Sequence, residues 1–197
     1  MGESVRLEPI APRHFGPLLA ISAEPSVWAW MDRRIPEDAD AFKAWFEDRL
    51  AASEAGEEWC WVTHRIDPGG GRPEPIGSSS YLAIRPAHNG LEIGWTWLHP
   101  SAWRTGANRE AKLLMLTQAF ESLGCMRVEF KTDARNERSR QALTTLGARF
   151  EGILRQHMLM PVVGARDSAY FSITDEEWPE IRGRLQVGLR DGPGVPR

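Results

Sequence analysis

A strand, a loop, a long amphipathic helix and a second strand follow one another without interruption between Leu91 and Thr132, and this run constrains the fold most. Leu91-Glu92-Ile93-Gly94-Trp95-Thr96-Trp97-Leu98 reads as a strand that Pro100 ends. From Asn108 to Leu123 the apolar residues fall at helical spacing: Leu113, Leu116, Phe120 and Leu123 form one stripe, and Ala111, Leu114, Met115 and Ala119 a second. So broad an apolar face needs a sheet to pack on. Gly124 is the expected stop, and Met126 to Thr132 alternates like a strand. A βαβ unit of this kind belongs to a sheet with helices on its faces.

The flanking segments complete the sheet. Val5–Pro9 reads as a first strand, and Pro12–Ile21 and Asp40–Ala52 as helices. Val27 to Asp32 is apolar and irregular, and Pro36 breaks it. Glu58–Ile66 and Pro75–Leu82 are strands joined by the turn Asp67–Pro75, whose Gly69-Gly70-Gly71 lacks GxGxxG spacing. After Thr132, Asn136 is placed to cap a helix over 137–146 that Gly147 closes. Phe150–Met160 and Ala169–Ile173 are the last strands, and a helix over 175–185 begins after the cap candidate Thr174. The expectation is one α/β (α+β) domain over residues 1–185. Its mixed, mostly antiparallel sheet has about seven strands and helices on both faces, and residues 186–197 form a flexible tail.

Charge and cysteines narrow the function. The net charge is -3 and the two signs are interspersed, so neither nucleic acid nor an acidic membrane surface is an expected partner. Cys60 and Cys125 are far apart, which fits a reducing cytoplasm, and no signal peptide or membrane span is visible. His14, His64, His88, His99 and His157 show no metal spacing, so no metal is expected.

The loop Trp103-Arg104-Thr105-Gly106-Ala107-Asn108-Arg109-Glu110-Ala111-Lys112 carries the chemistry. A loop that opens into a helix offers unpaired N–H groups and the positive dipole end, a site suited to a phosphate or pyrophosphate. Gly106 permits close approach, and Arg104, Arg109 and Lys112 add positive charge. Taken alone, one glycine fits an ordinary strand-to-helix turn equally well.

W-R-T-G-A-N-R-E-A resembles the acyl-CoA pyrophosphate loop of the GNAT superfamily of N-acetyltransferases, [QR]-x-x-G-x-[GA]. It is nearer to the RimJ/RimL-like branch that acetylates N-terminal amines of ribosomal proteins, where W-G-x-G-Y-A-T-E-A is typical. Trp103 stands in place of Gln or Arg, as is common in that branch, and Asn108 stands where Gly or Ala is usual. An Asn tolerates odd dihedrals and can cap the helix. A second block, Asn136 to Gly152, is similar to the branch signature N-x-x-S-x-x-x-x-x-x-L-G-F-x-x-E-G, with Ala148 at the Phe position. The resemblance covers most of residues 4–175.

It implies a GNAT-like sheet splayed between strands 4 and 5, with acetyl-CoA as the cofactor. The pantetheine would lie against the backbone of Trp97 and Leu98, near Asn136. The diphosphate would lie on Trp103, Arg104, Thr105, Gly106, Ala107, Asn108 and Arg109. Glu92 matches the position of a catalytic glutamate in several members. A carboxylate there would take the proton of an attacking ammonium, directly or through water; the plain alternative is a strand glutamate paired with an arginine or facing water. The tyrosine that often protonates the thiolate is replaced by Leu143, which leaves Ser139 as the candidate. Trp28, Trp30 and Trp95 are candidate walls of the acceptor pocket, with Asp32 or Glu24 to hold a cationic amine. The resemblance also makes a homodimer an expectation. The acceptor expected is a protein or peptide N-terminus. A small amine such as a polyamine or aminoglycoside, or a non-catalytic CoA-binding sensor, are the other readings.

Overall fold

The structure is a computed structural model that describes residues 2–31, 38–160 and 164–190. The elements are β1 (Val5–Pro9), α1 (Phe15–Ser22), α2 (Pro25–Trp28), α3 (Ala39–Glu54), β2 (Trp59–Arg65), β3 (Glu74–Arg85), β4 (Gly90–Leu98), α4 (Ala107–Thr117), β5 (Arg127–Asp133), α5 (Glu137–Leu146), β6 (Arg149–Met160), β7 (Gly164–Thr174) and α6 (Trp178–Arg190). They form one seven-stranded sheet in the order β1-β2-β3-β4-β5-β7-β6. Every neighbouring pair is antiparallel except β4–β5, which α4 joins in parallel.

Alternation along the strands gives each face its own core. On one face, Leu91 and Ile93 of β4 and Val128 and Phe130 of β5 meet Met115 and Leu116 of α4, Leu143 and Leu146 of α5, and Ile181 and Leu185 of α6. On the other, Cys60 and Val62 of β2 and Trp97 of β4 meet Leu18, Trp28, Phe42, Trp45 and Phe46 of α1–α3. These first three helices cover the β1–β4 side. No helix among the described residues is long and apolar enough to cross a membrane.

The β4–β5 pair is short. Residues pair only as Gly90↔Arg127, Leu91↔Val128 and Glu92↔Glu129, although β4 runs to Leu98 and β5 to Asp133. Past Glu92 the strands diverge, which is the expected splay. β4 also bulges: Ser78↔Trp97 and Ser80↔Gly94 leave one extra residue on β4, and Trp95 sits there at φ +47°. The bulge shifts the alternation by one, so Trp97 joins the face of Glu92 instead of the opposite one.

Several expectations shift in detail. The 27–32 stretch contains the short helix α2, capped by Glu24, which accepts from the N–H and hydroxyl of Ser26. The long helix ends as α at Thr117 and continues as a π-turn over Gln118–Ser122. The last helix starts at Trp178, not at residue 175, and runs to Arg190, so residues 186–190 are helical and not tail. The expected cap, Thr174, lies four residues ahead of that start, and its N–H donates to the Glu177 carboxylate at 2.9 Å.

Candidate active site

The loop after β4 is built by its own hydrogen bonds. The Trp103 indole N–H donates to the Leu98 carbonyl at 2.8 Å and ties the loop to the end of β4. The Thr105 hydroxyl donates to the Ala102 carbonyl at 2.8 Å. Arg104 at φ +61° and Gly106 at φ +89° are both left-handed. A Cβ on Gly106 would meet nothing nearer than Leu189 at 4.0 Å, so glycine is needed here for its backbone and not for space. Gly106, not Asn108, is the N-cap of α4. Asn108 lies inside the first turn, and its buried Oδ1 has no hydrogen-bond partner.

Charge around this helix start is distributed differently from the sequence expectation. Arg109 donates to the Gly188 carbonyl of α6 at 3.0 Å. Arg138 of α5 reaches across and lies 4.1 Å over the Trp103 ring, a cation–π contact that joins the α5 side to the loop. Glu110, buried in the first turn, accepts from the N–H of Glu3 and the N–H and hydroxyl of Ser4. Lys112 does not add to the loop's charge. It is 5% exposed, and its ammonium donates to Ser79 Oγ at 2.9 Å and Thr96 Oγ1 at 2.6 Å, beneath the β4 bulge. Burial lowers its pKa to about 7.

Across the splay, Asn136 caps α5 by accepting from the Ser139 N–H at 3.1 Å. Ser139, Ala142, Leu143 and Leu146 line the same side, as their helical spacing predicts. One cavity of about 1510 Å³ joins the loop, the splay and the α1–α3 face. Trp97, Leu98, Trp103, Arg104, Thr105, Gly106, Asn108, Arg109 and Asn136 border it, as do Ser139 and Glu92. Ala107 is buried just beneath.

Glu92 stands where the strands part. Its neighbours Leu91 and Ile93 point into the α4 core, so its side chain projects to the opposite face. It is 3% exposed. Lys131 of β5 donates to its Oε2 at 3.0 Å. Burial raises the carboxyl pKa, and the Lys131 ammonium opposes that rise. Lys131 and the buried Arg166 also border the cavity, and neither was singled out in the sequence. For Lys131 the signal is the period-two pattern that places Glu129 and Lys131 opposite Val128 and Phe130.

The expected acceptor walls divide. Trp30 and Trp95 border the cavity, whereas Trp28 does not. Trp28 is core: it is 4% exposed, packed against Trp45 and Trp97, with its indole N–H on the Ser22 carbonyl. Glu24 is engaged as a helix cap away from the cavity. Asp32 lies outside the described residues.

The fold brings Glu8, His14 and His64 together, with ligand-type atoms within 4.8 Å of one another. Their protons argue against a metal. The Ala11 N–H donates to His14 Nδ1, which leaves the ring proton on Nε2, facing Glu8. Both Glu8 oxygens are held by Arg6 and Arg13.

Residues 4–149 match the family model described as "Acetyltransferase (GNAT) domain". The chain is 37% identical to a protein from T. thermophilus named as an acetyltransferase, covering 96% of this chain and 95% of that one, with a TM-score of 0.84. It is 32% identical to a GCN5-related N-acetyltransferase from Brucella melitensis, covering 95% and 83%, TM-score 0.84. Over 85 residues it is 33% identical to a Bacillus subtilis (strain 168) protein named "Uncharacterized N-acetyltransferase YoaA", a match that spans 43% of this chain and about half (48%) of that one. Mycobacterium smegmatis RimJ, solved with CoA-disulfide, shares the fold at 20% identity and TM-score 0.77. The Vibrio cholerae spermidine N-acetyltransferase, solved with CoA and spermine, shares it at 13% and 0.71.

Proposed function

The chain belongs to the GNAT acetyltransferase family, and from that premise we propose that it moves an acetyl group from acetyl-CoA to the N-terminal amine of a protein or peptide by direct attack. The observation that carries this reading is the splay. Pairing of β4 with β5 stops at Glu92, and the cavity behind the opening reaches the start of α4 on one side and Glu92 on the other.

Acetyl-CoA supplies an activated thioester, and the residues present suit its parts. The first-turn N–H groups of α4, behind Gly106, face the diphosphate together with Arg104, and the Arg138–Trp103 pair stands at the same mouth. The inner edge of β4 from Ile93 to Leu98 has no strand partner on its β5 side, so its main-chain groups receive the pantetheine and polarise the carbonyl. Glu92 takes the proton from the incoming ammonium. Asn136 closes the pantetheine end, and Ser139 offers a hydroxyl to the sulfur as the thiolate departs.

The site's charge favours an α-amine over a polyamine. Among the described residues, Glu92 is the one carboxylate that borders the acceptor end, and Lys131 already pairs with it. A terminal amine, with a pKa near 8, gives up its proton more readily than an alkylamine near 10.4.

The test is thiol release from acetyl-CoA with peptides of differing first residue, set against spermidine, after calorimetry with acetyl-CoA alone. Turnover of peptides and not of spermidine is expected. Absence of binding at millimolar acetyl-CoA overturns the reading. Glu92→Gln is expected to abolish turnover and leave acetyl-CoA affinity intact.

A further inference from the structure

Glu92 and Lys131 meet at the vertex of the splay. The last backbone pair between the diverging strands is Glu92↔Glu129. One step beyond it, the next link across the opening is made by side chains, Lys131 Nζ to Glu92 Oε2 at 3.0 Å. Both residues project to the α1–α3 side, since Leu91, Ile93 and Phe130 fill the opposite core. The lysine is fixed from β5 and the glutamate from β4, so the pair is set by the point at which the sheet parts.

The two carboxylate oxygens are unequal. Oε2 takes the Lys131 hydrogen bond. Oε1 lies over Gly94, where a Cβ would come within 2.8 Å of it and within 2.7 Å of Leu82 Cδ1. Gly94 is the next residue on the Glu92 face of β4, so Oε1 lies over the part of β4 that has no β5 partner.

We infer that Lys131 is a positioning residue for deprotonation of the acceptor amine: it holds Glu92 by Oε2 and leaves Oε1 as the oxygen that receives the proton. The inference rests on the reading of Glu92 as the base. A carboxylate as buried as Glu92 drifts toward its neutral form, which accepts no proton, and an ammonium in contact opposes that drift. The other charged and titratable groups around it are Glu129 on β5, and Arg166 and Tyr170 on β7. Glu129 is neutralised by Arg85 and Arg127, each at 3.0 Å. Arg166 bears on Glu92 in the same sense as Lys131, as a lesser influence. The ion pair has a second effect. The catalytic carboxylate already has a cation, so a polycationic acceptor gains little from it, whereas an amine close to neutrality at working pH is not repelled by Lys131.

The experiment needs no acceptor. Protein labelled with δ-13C glutamate is titrated by NMR, with the Glu92 signal assigned from its loss in Glu92→Gln. Wild type, Lys131→Met and Lys131→Arg are compared, and thermal melting establishes that each variant is folded. An opposite charge at this range moves a carboxyl pKa by about 1–3 units. The Glu92 midpoint is therefore expected to rise by about one pH unit or more in Lys131→Met and to return toward wild type in Lys131→Arg. An unchanged midpoint in folded Lys131→Met overturns the inference. Thiol release by Glu92→Gln reports separately on the base. If that variant turns over a peptide at the wild-type rate and pH profile, the base reading fails, whatever the titration shows.

Discussion

Replacing Lys112 with methionine is expected to make the protein more stable at neutral pH, and the gain should disappear in alkali. In the folded chain the amine is buried, donates to the hydroxyls of Ser79 and Thr96, and has a pKa of about 7, against 10.5 when exposed. Between these values the unfolded chain holds a proton that the folded chain releases, so wild-type stability rises with pH across that window. The penalty is fully present below about pH 7 and gone above about 10.5. A shift of about 3.5 units corresponds to about 5 kcal/mol at about 1.36 kcal/mol per unit. Two hydrogen bonds from a charged donor offset roughly 3 kcal/mol of it. Methionine fills similar volume, and Ser79 Oγ and Thr96 Oγ1, 2.7 Å apart, satisfy each other once the amine is gone. The net gain at pH 7 is then about 2 kcal/mol, or roughly 4–8 °C in Tm for a chain of this size. Denaturant melts of both proteins from pH 6 to 10 measure it. A Lys112→Met protein less stable than wild type at pH 7, by an amount that does not change with pH, would refute the reasoning.

Gly94→Ala should drive the Glu92 carboxylate and Leu82 off their places. A displacement of about 1 Å costs on the order of 100-fold in rate, so turnover should collapse while calorimetry shows acetyl-CoA affinity near wild type; undiminished turnover would count against Oε1 as the acting oxygen. Trp103→Phe keeps a ring for Arg138 but removes the donor to the Leu98 carbonyl. It should cost about 1 kcal/mol in a melt and weaken acetyl-CoA binding several-fold, and unaltered binding would separate the loop's anchoring from its ligand.

The strands and the two motif blocks were legible because both rest on local pattern. Alternation marked β1–β5, and the Asn136 cap and the Gly106 and Gly147 punctuation behaved as their residue types dictate. What escaped depends on contacts between elements. The four-residue α2 is too short for a periodic signal. The bulge at Trp95 reverses the face of Trp97, and nothing in L-E-I-G-W-T-W-L announces an extra residue. Trp28 suits either a pocket wall or the core by residue type, and the packing of Trp45 and Trp97 against it decides for the core. Lys112 was read by its charge and its closeness to Gly106. Its spacing told another story: Leu116 and Ala119 follow at four and seven residues, and both are fully buried. A lysine on that stripe sits under the sheet, and the helical period was available to show it. The Lys131–Glu92 contact needed the parallel register, which no single strand contains.

The parting of β4 from β5 also divides labour within β4. Over Ile93–Leu98 the main chain borders the opening, while side chains other than Trp95 serve other clients: Ile93 the α4 core, Thr96 the Lys112 amine, Trp97 the α1–α3 core. A surface made of backbone cannot be edited one residue at a time. Drift along this strand is thus screened first by how well each side chain fills its own core, and the ligand-facing edge is inherited with little change as long as the strand keeps its bend. Side-chain variation at Ile93, Thr96 and Trp97 therefore records the history of the packing around the sheet more than the history of the chemistry at its opening.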